Sequence, residues 1–107
     1  MIDLQWDRAF ALEQAGDDTE LLEELLTLLV DTSENDLEKI KMGMTAGDGD
    51  MVADAAHSIK GAAASLGIEG LRQAAYEFEK KGRGGQLADL DIGIIEDLVG
   101  QLPALKG

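Results

Sequence analysis

The chain has 107 residues, 45% of them hydrophobic, and no apolar run long enough to cross a bilayer, so it reads as a single globular domain over 1–107 with one core. Nine Lys and Arg face 22 Asp and Glu, and the resulting charge of −13 would repel nucleic-acid phosphates and anionic membranes, which excludes both as partners. The opening residues, Met1 to Asp7, lack the basic start and apolar stretch of a secretory signal, and there is no cysteine, so a cytoplasmic setting is expected.

In chain order the sequence reads as helices and short breaks. Leu, Ala and Glu dominate, Val, Ile and Thr are scattered, and no segment alternates apolar and polar residues as a half-buried strand would. A first short helix is expected from about Gln5 to Ala15, burying Trp6, Ala9 and Phe10 and stopping at Gly16. A long second helix starts at Thr19, where Glu20-Leu21-Leu22-Glu23-Glu24-Leu25-Leu26 carries leucines at helical spacing, and the pattern resumes through Leu29, Leu37, Ile40 and Met44. Gly43, Gly47 and Gly49, with Asp48 and Asp50, form a turn-rich break whose aspartates can cap the next helix. Helix three covers about Met51 to Leu66 and ends at Gly67, and helix four runs from about Glu69 to Lys81, before the loop Gly82-Arg83-Gly84-Gly85. A last helix from about Leu87 to Leu102 is weakened by Gly93 and Gly100 and stopped by Pro103. The expected fold class is all-α, an antiparallel four-helix bundle with a short extra N-terminal helix laid across one end.

Helix three carries the informative feature. At 100° per residue, Met51, Ala55, Ile59, Ala62 and Leu66 form a narrow apolar stripe with Val52 and Ala63 on its flank, and His57, the chain's single histidine, projects nearly opposite. Ala53, Gly61 and Ala64 share the histidine's face, so the imidazole is expected on a bare patch suited to docking a partner. A glycine inside a helix costs about 1 kcal/mol relative to alanine, so Gly61 reads as stability given up for close approach by another backbone or a phosphate. Lys60 borders the patch, and its ammonium could reach an anion held on the ring.

An exposed helical histidine is most often an ordinary surface residue; here the whole constellation of a histidine opposite the core, a lysine three residues on and a glycine four on argues otherwise. One histidine without cysteine gives no metal pattern, and Ser58 and Ser65 have no histidine base on their face, so neither a metal site nor hydrolysis is expected. Ser65 reads as helping to finish its helix, the Leu-rich stripe of helix two as core, and Trp6 as a cover on the end of the bundle.

The segment from Ala56 to Gly67, AHSIKGAAASLG, resembles the signature of histidine-containing phosphotransfer (HPt) domains, His-x-x-Lys-Gly followed six residues later by Gly. Asp7-Arg8-Ala9-Phe10 with Gly16-Asp17-Asp18 resembles that family's opening helix and loop. The resemblance implies that His57 is the phospho-acceptor, Lys60 its anion-stabilising neighbour and Gly61 the clearance for a partner. It also implies a role for Glu79, 22 residues after His57, where the family commonly places a Glu or Gln that hydrogen-bonds the imidazole. A carboxylate accepting from Nδ1–H would leave Nε2 free to attack phosphorus. The expected function is relay of a phosphoryl group between response-regulator receiver domains, or from a histidine or hybrid kinase, by a monomer that acts only in complex and is no free-standing enzyme. No cofactor of its own is expected, since the receiver's acidic pocket would bring Mg²⁺. Lys60, Arg72, Lys80, Lys81 and Arg83 could locally offset the acidity that such a receiver would meet. Two other readings remain: a helical adaptor that binds without phosphorylation, and the substrate domain of a chemotaxis-type sensor kinase.

Overall fold

The structure, a computed structural model, describes residues 2–106. Its helices are α1 (Arg8–Gln14), α2 (Thr19–Ala46), α3 (Gly49–Ser65), α4 (Glu69–Arg83) and α5 (Ile92–Gln101), with 3₁₀ turns at Leu87–Asp89 and Leu102–Leu105. Short connections make successive long helices antiparallel neighbours, and α5 closes the bundle by packing on both α2 and α4. A 28-residue helix at 1.5 Å per residue is about 42 Å long, so α2 sets the long dimension of the 42 × 20 × 20 Å molecule.

Four of the five helices begin on an aspartate whose carboxylate takes up backbone N–H groups left without a partner in the first turn. Asp7 accepts from Phe10, Asp18 from Glu20 and Leu21, Asp48 from Met51, and Asp91 from Gly93. The fifth, α4, starts after Ile68 with no side-chain cap. Its first N–H groups instead reach the chain's opening segment, Glu69 N–H donating to Gln5 O and Gly70 N–H to Leu4 O. This explains why residues 4–6 are non-helical where the sequence pattern predicts a helix from Gln5. They lie against the start of α4, Gln5 sits at φ 53°, and Trp6 pairs with Ile68 and donates its indole N–H to Leu66 O at the end of α3. Trp6 is half-buried, whereas Ala9 and Phe10 are exposed, and the short α1 buries Ala11 instead.

Further boundaries differ from the periodicity, among them the end of α4, which runs on through Gly82 and Arg83 where a loop is expected. Gly43 lies inside α2, which runs on to Gly47 in the left-handed conformation (φ 68°). A Cβ on Gly43 would stand 2.8 Å from Val52 Cγ2, so the missing side chain lets α3 pack where it starts. The expected last helix is split, because Leu90 is extended and Asp91 caps a new start; Pro103 falls in the closing 3₁₀ turn. The core joins Leu22, Leu26, Leu29, Ile40, Val52, Ile59, Leu71, Phe78, Ile95, Leu98 and Leu102, so every long helix contributes to one apolar cluster. Among the described residues no helix is long and apolar enough to cross a membrane.

Candidate functional site

The α3–α4 interface positions the site. Between the start of α3 and the end of α4, the backbones of Gly49 and Gly82 meet so closely that a Cβ on Gly82 would lie 2.8 Å from Gly49 O and 3.2 Å from Ala53 Cβ. Such close approach is available only to glycine. It sets α4 beside the histidine's flank of α3 and brings Glu79 next to His57.

His57 Nδ1 lies 2.9 Å from Glu79 Oε2, while the imidazole side chain remains 64% exposed and the carboxylate only 17%. The second oxygen, Oε1, lies 2.6 Å from Lys60 Nζ in an ion pair. The Lys60 ammonium holds the Glu79 carboxyl below its ordinary value; His57 adds to this and partial burial opposes it. Glu79 is therefore an anion at neutral pH and can only accept, which makes Nδ1 the protonated nitrogen of a neutral ring and leaves the Nε2 lone pair free.

Gly61 and Ala64 are exposed beside the ring and, with Lys60, Arg72 and Tyr76, line an open cleft of about 250 Å³. A Cβ on Gly61 would meet nothing within 4 Å, so no packing within the chain requires this glycine. Ala53 corrects the expectation of a docking role: it is fully buried, because the Gly82 backbone closes over it. The buried arc of α3 is accordingly wider than the single stripe expected, taking in Val52, Ala53, Ala55, Ala56, Ile59 and Ala63 while Met51 and Ala62 are only half-buried. Packing against α2 on one side and α4 on the other accounts for the width.

The expected basic offset is also altered. Lys60 pairs with Glu79, Arg72 with Glu69, Lys80 with Glu77, and Arg83 with both Asp50 and Asp54, so four of the five charges are paired within the chain and Lys81 is left outside these pairs. Tyr76 belongs to no motif in the sequence, yet it joins the site; its ring lies 4.7 Å from Lys80 Nζ and 5.3 Å from Lys60 Nζ, within cation–π range. Its position three residues before Glu79 is a signal that helical spacing offers. Among the described residues no group of three or more His, Cys, Asp or Glu converges as a metal site.

A four-helix bundle that presents one solvent-exposed histidine, oriented by a carboxylate from the next helix, defines a class of helical carrier modules. The family model of the Hpt domain matches residues 24–105, a span that includes His57, Lys60, Gly61 and Glu79, and the chain belongs to that family. It is thus a phosphotransfer module of two-component signalling, a family that interacts with kinase and receiver domains. Among solved structures it is similar to the HPT domain of the Hpt sensor hybrid histidine kinase from Shewanella, at 22% identity and a TM-score of 0.71 over 95% of this chain and 87% of that one. At that identity the likeness speaks for the fold. No curated protein matches the chain.

Proposed function

We propose that this chain is a histidine phosphotransfer protein in which His57 Nε2 accepts a phosphoryl group from a receiver-domain aspartate or a histidine kinase and returns it to another receiver. The observation that carries the reading is the 2.9 Å contact between His57 Nδ1 and Glu79 Oε2 on an otherwise exposed ring. In the forward step the Nε2 lone pair attacks phosphorus of the aspartyl phosphate, the phosphorus–oxygen bond breaks, and the aspartate leaves as a free carboxylate. The ring becomes cationic as Nε2 bonds phosphorus, and Nδ1 keeps its proton toward the Glu79 anion, which stabilises that charge. A loose, in-line transition state asks mainly for positioning and neutralisation of charge. Lys60, three residues along α3, can swing from Glu79 toward the phosphoryl oxygens and supply a charge-assisted bond.

Mg²⁺ belongs to the partner receiver's acidic pocket, and this chain contributes nucleophile, tautomer control and cation. Residues 1–107 act as one unit, a cytoplasmic monomer that turns over only in complex and is no enzyme on its own. The test is phosphoryl uptake from a panel of phosphorylated receivers by the wild type and by His57→Gln. Acid-labile, alkali-stable label that disappears in the variant is the expected result. A folded protein that takes no label from any receiver would instead make the chain a phosphorylation-independent adaptor.

A further inference from the structure

On the flank of α3 away from Glu79, a cleft of about 500 Å³ opens between α2 and α3 and carries four aspartates, Asp36, Asp48, Asp50 and Asp54, with Lys39 at its edge. Three of them are accounted for: Asp48 caps α3, and Arg83 bridges Asp50 and Asp54. Asp36 is not. It is 5% exposed, and its Oδ2 is buried without any hydrogen-bond partner among the described residues, Lys39 one turn along the same helix included. A buried carboxylate oxygen with no donor is costly, and such a group is an acceptor awaiting a cation or donor from outside. Since the aspartates do not converge as a metal site and Arg83 already pairs Asp50 and Asp54, the cleft suits a single organic cation reaching Asp36, with the neighbouring carboxylates adding attraction at the rim.

We propose that this cleft receives an arginine or lysine side chain from the phosphotransfer partner and so selects which partner docks over His57. Ser58, which follows His57, and Asp54, one turn before it, border the cleft, so a domain seated on the imidazole also covers its rim. The charge balance fits: a chain of net charge −13 must dock a partner whose active pocket is itself acidic, and a basic side chain entering here supplies attraction away from the two anionic centres. The inference rests on the phosphotransfer reading and names the chemistry of that partner.

The test compares wild type, Asp36→Asn and Asp54→Asn. It measures phosphoryl transfer from the best receiver of a panel, calorimetric affinity for that receiver, and labelling of His57 by the small donor phosphoramidate. Asp36→Asn keeps shape and removes charge, and its fold is checked by circular dichroism; Asp54→Asn is a surface change that probes the same cleft if Asp36→Asn fails to fold. The expected result is a loss of about tenfold or more in receiver affinity, a weaker salt dependence, and unchanged phosphoramidate labelling. Replacing the matching basic residue of the receiver should then have little further effect in the Asp36→Asn background. Unchanged receiver affinity in both folded variants overturns the proposal and leaves Asp36 a buried structural group. Loss of all labelling in the wild type, by contrast, overturns the phosphotransfer reading itself.

Discussion

Gly61 occupies the interior of α3, where a Cβ would meet nothing within 4 Å, so its absence serves no contact in the free molecule. Gly61→Ala is therefore expected to stabilise the fold by about 0.5–1 kcal/mol through helix propensity, read as a higher urea midpoint with unchanged slope. The same substitution should slow receiver-dependent transfer; a stabilised variant that transfers at the wild-type rate would show that no partner uses the gap. Glu79 gives a second residue-scale pair. Removing its charged hydrogen bond in Glu79→Ala is expected to slow labelling of His57 by about 10- to 100-fold, with Glu79→Gln intermediate because the amide oxygen can still accept. Lys60 and His57 hold the folded-state carboxyl below its unfolded value of 4.5, so near that pH the unfolded chain binds more protons. The stability this contributes is present above about pH 4.5 and is lost as pH falls through the lower folded value. Acid titrations followed by circular dichroism should accordingly show a shallower loss of stability below about pH 5 in Glu79→Gln than in wild type.

At the scale of elements, helix starts and one close crossing govern the arrangement. Asp18 accepts from two N–H groups at the head of the 28-residue α2, and Asp18→Ala should lower stability by about 1 kcal/mol in urea melts. The Gly49–Gly82 crossing is less forgiving, since a Cβ on Gly82 would press on Gly49 O and on Ala53. Gly82→Ala is expected to destabilise by about 1–3 kcal/mol despite alanine's better helix propensity, because two backbones must move apart. It should also impair labelling of His57, since the same crossing positions Glu79; a variant with wild-type stability and labelling would show that the helices yield freely there. Gly61 and Gly82 thus lie in neighbouring helices with opposite predicted signs, and open space against backbone contact makes the difference.

Across the whole molecule, a net charge of −13 on 107 residues makes self-repulsion a global term, whereas the ion pairs around the site are local. Exposed pairs contribute little and salt screens the long-range repulsion, so the melting temperature should rise between 10 mM and 200 mM NaCl; a fall would mean that the pairs outweigh the repulsion. Helical periodicity and glycine breaks make most of the bundle legible in the sequence, since an amphipathic helix declares its buried face through spacing alone. The exposed faces of His57, Gly61 and Ala64 are legible for the same reason. The non-helical path of residues 4–6 is not, because the carbonyls of Leu4 and Gln5 are claimed by N–H groups more than sixty residues away at the head of α4. Ala53 on a helical wheel looks like part of the histidine's face, and only the crossing at Gly82 buries it. Asp36 shares spacing with Leu29, Ser33 and Ile40, a pattern visible in the sequence, yet its lack of a partner emerges only when α2 meets α3. Sequence by itself determined the long helices to within a few residues, the outward histidine and the family signature, because these depend on neighbours within a turn or two. Tertiary structure decided the contact of Glu79 with Nδ1, the sealing of Ala53 and the orphaned Asp36, because each depends on how closely two helices approach.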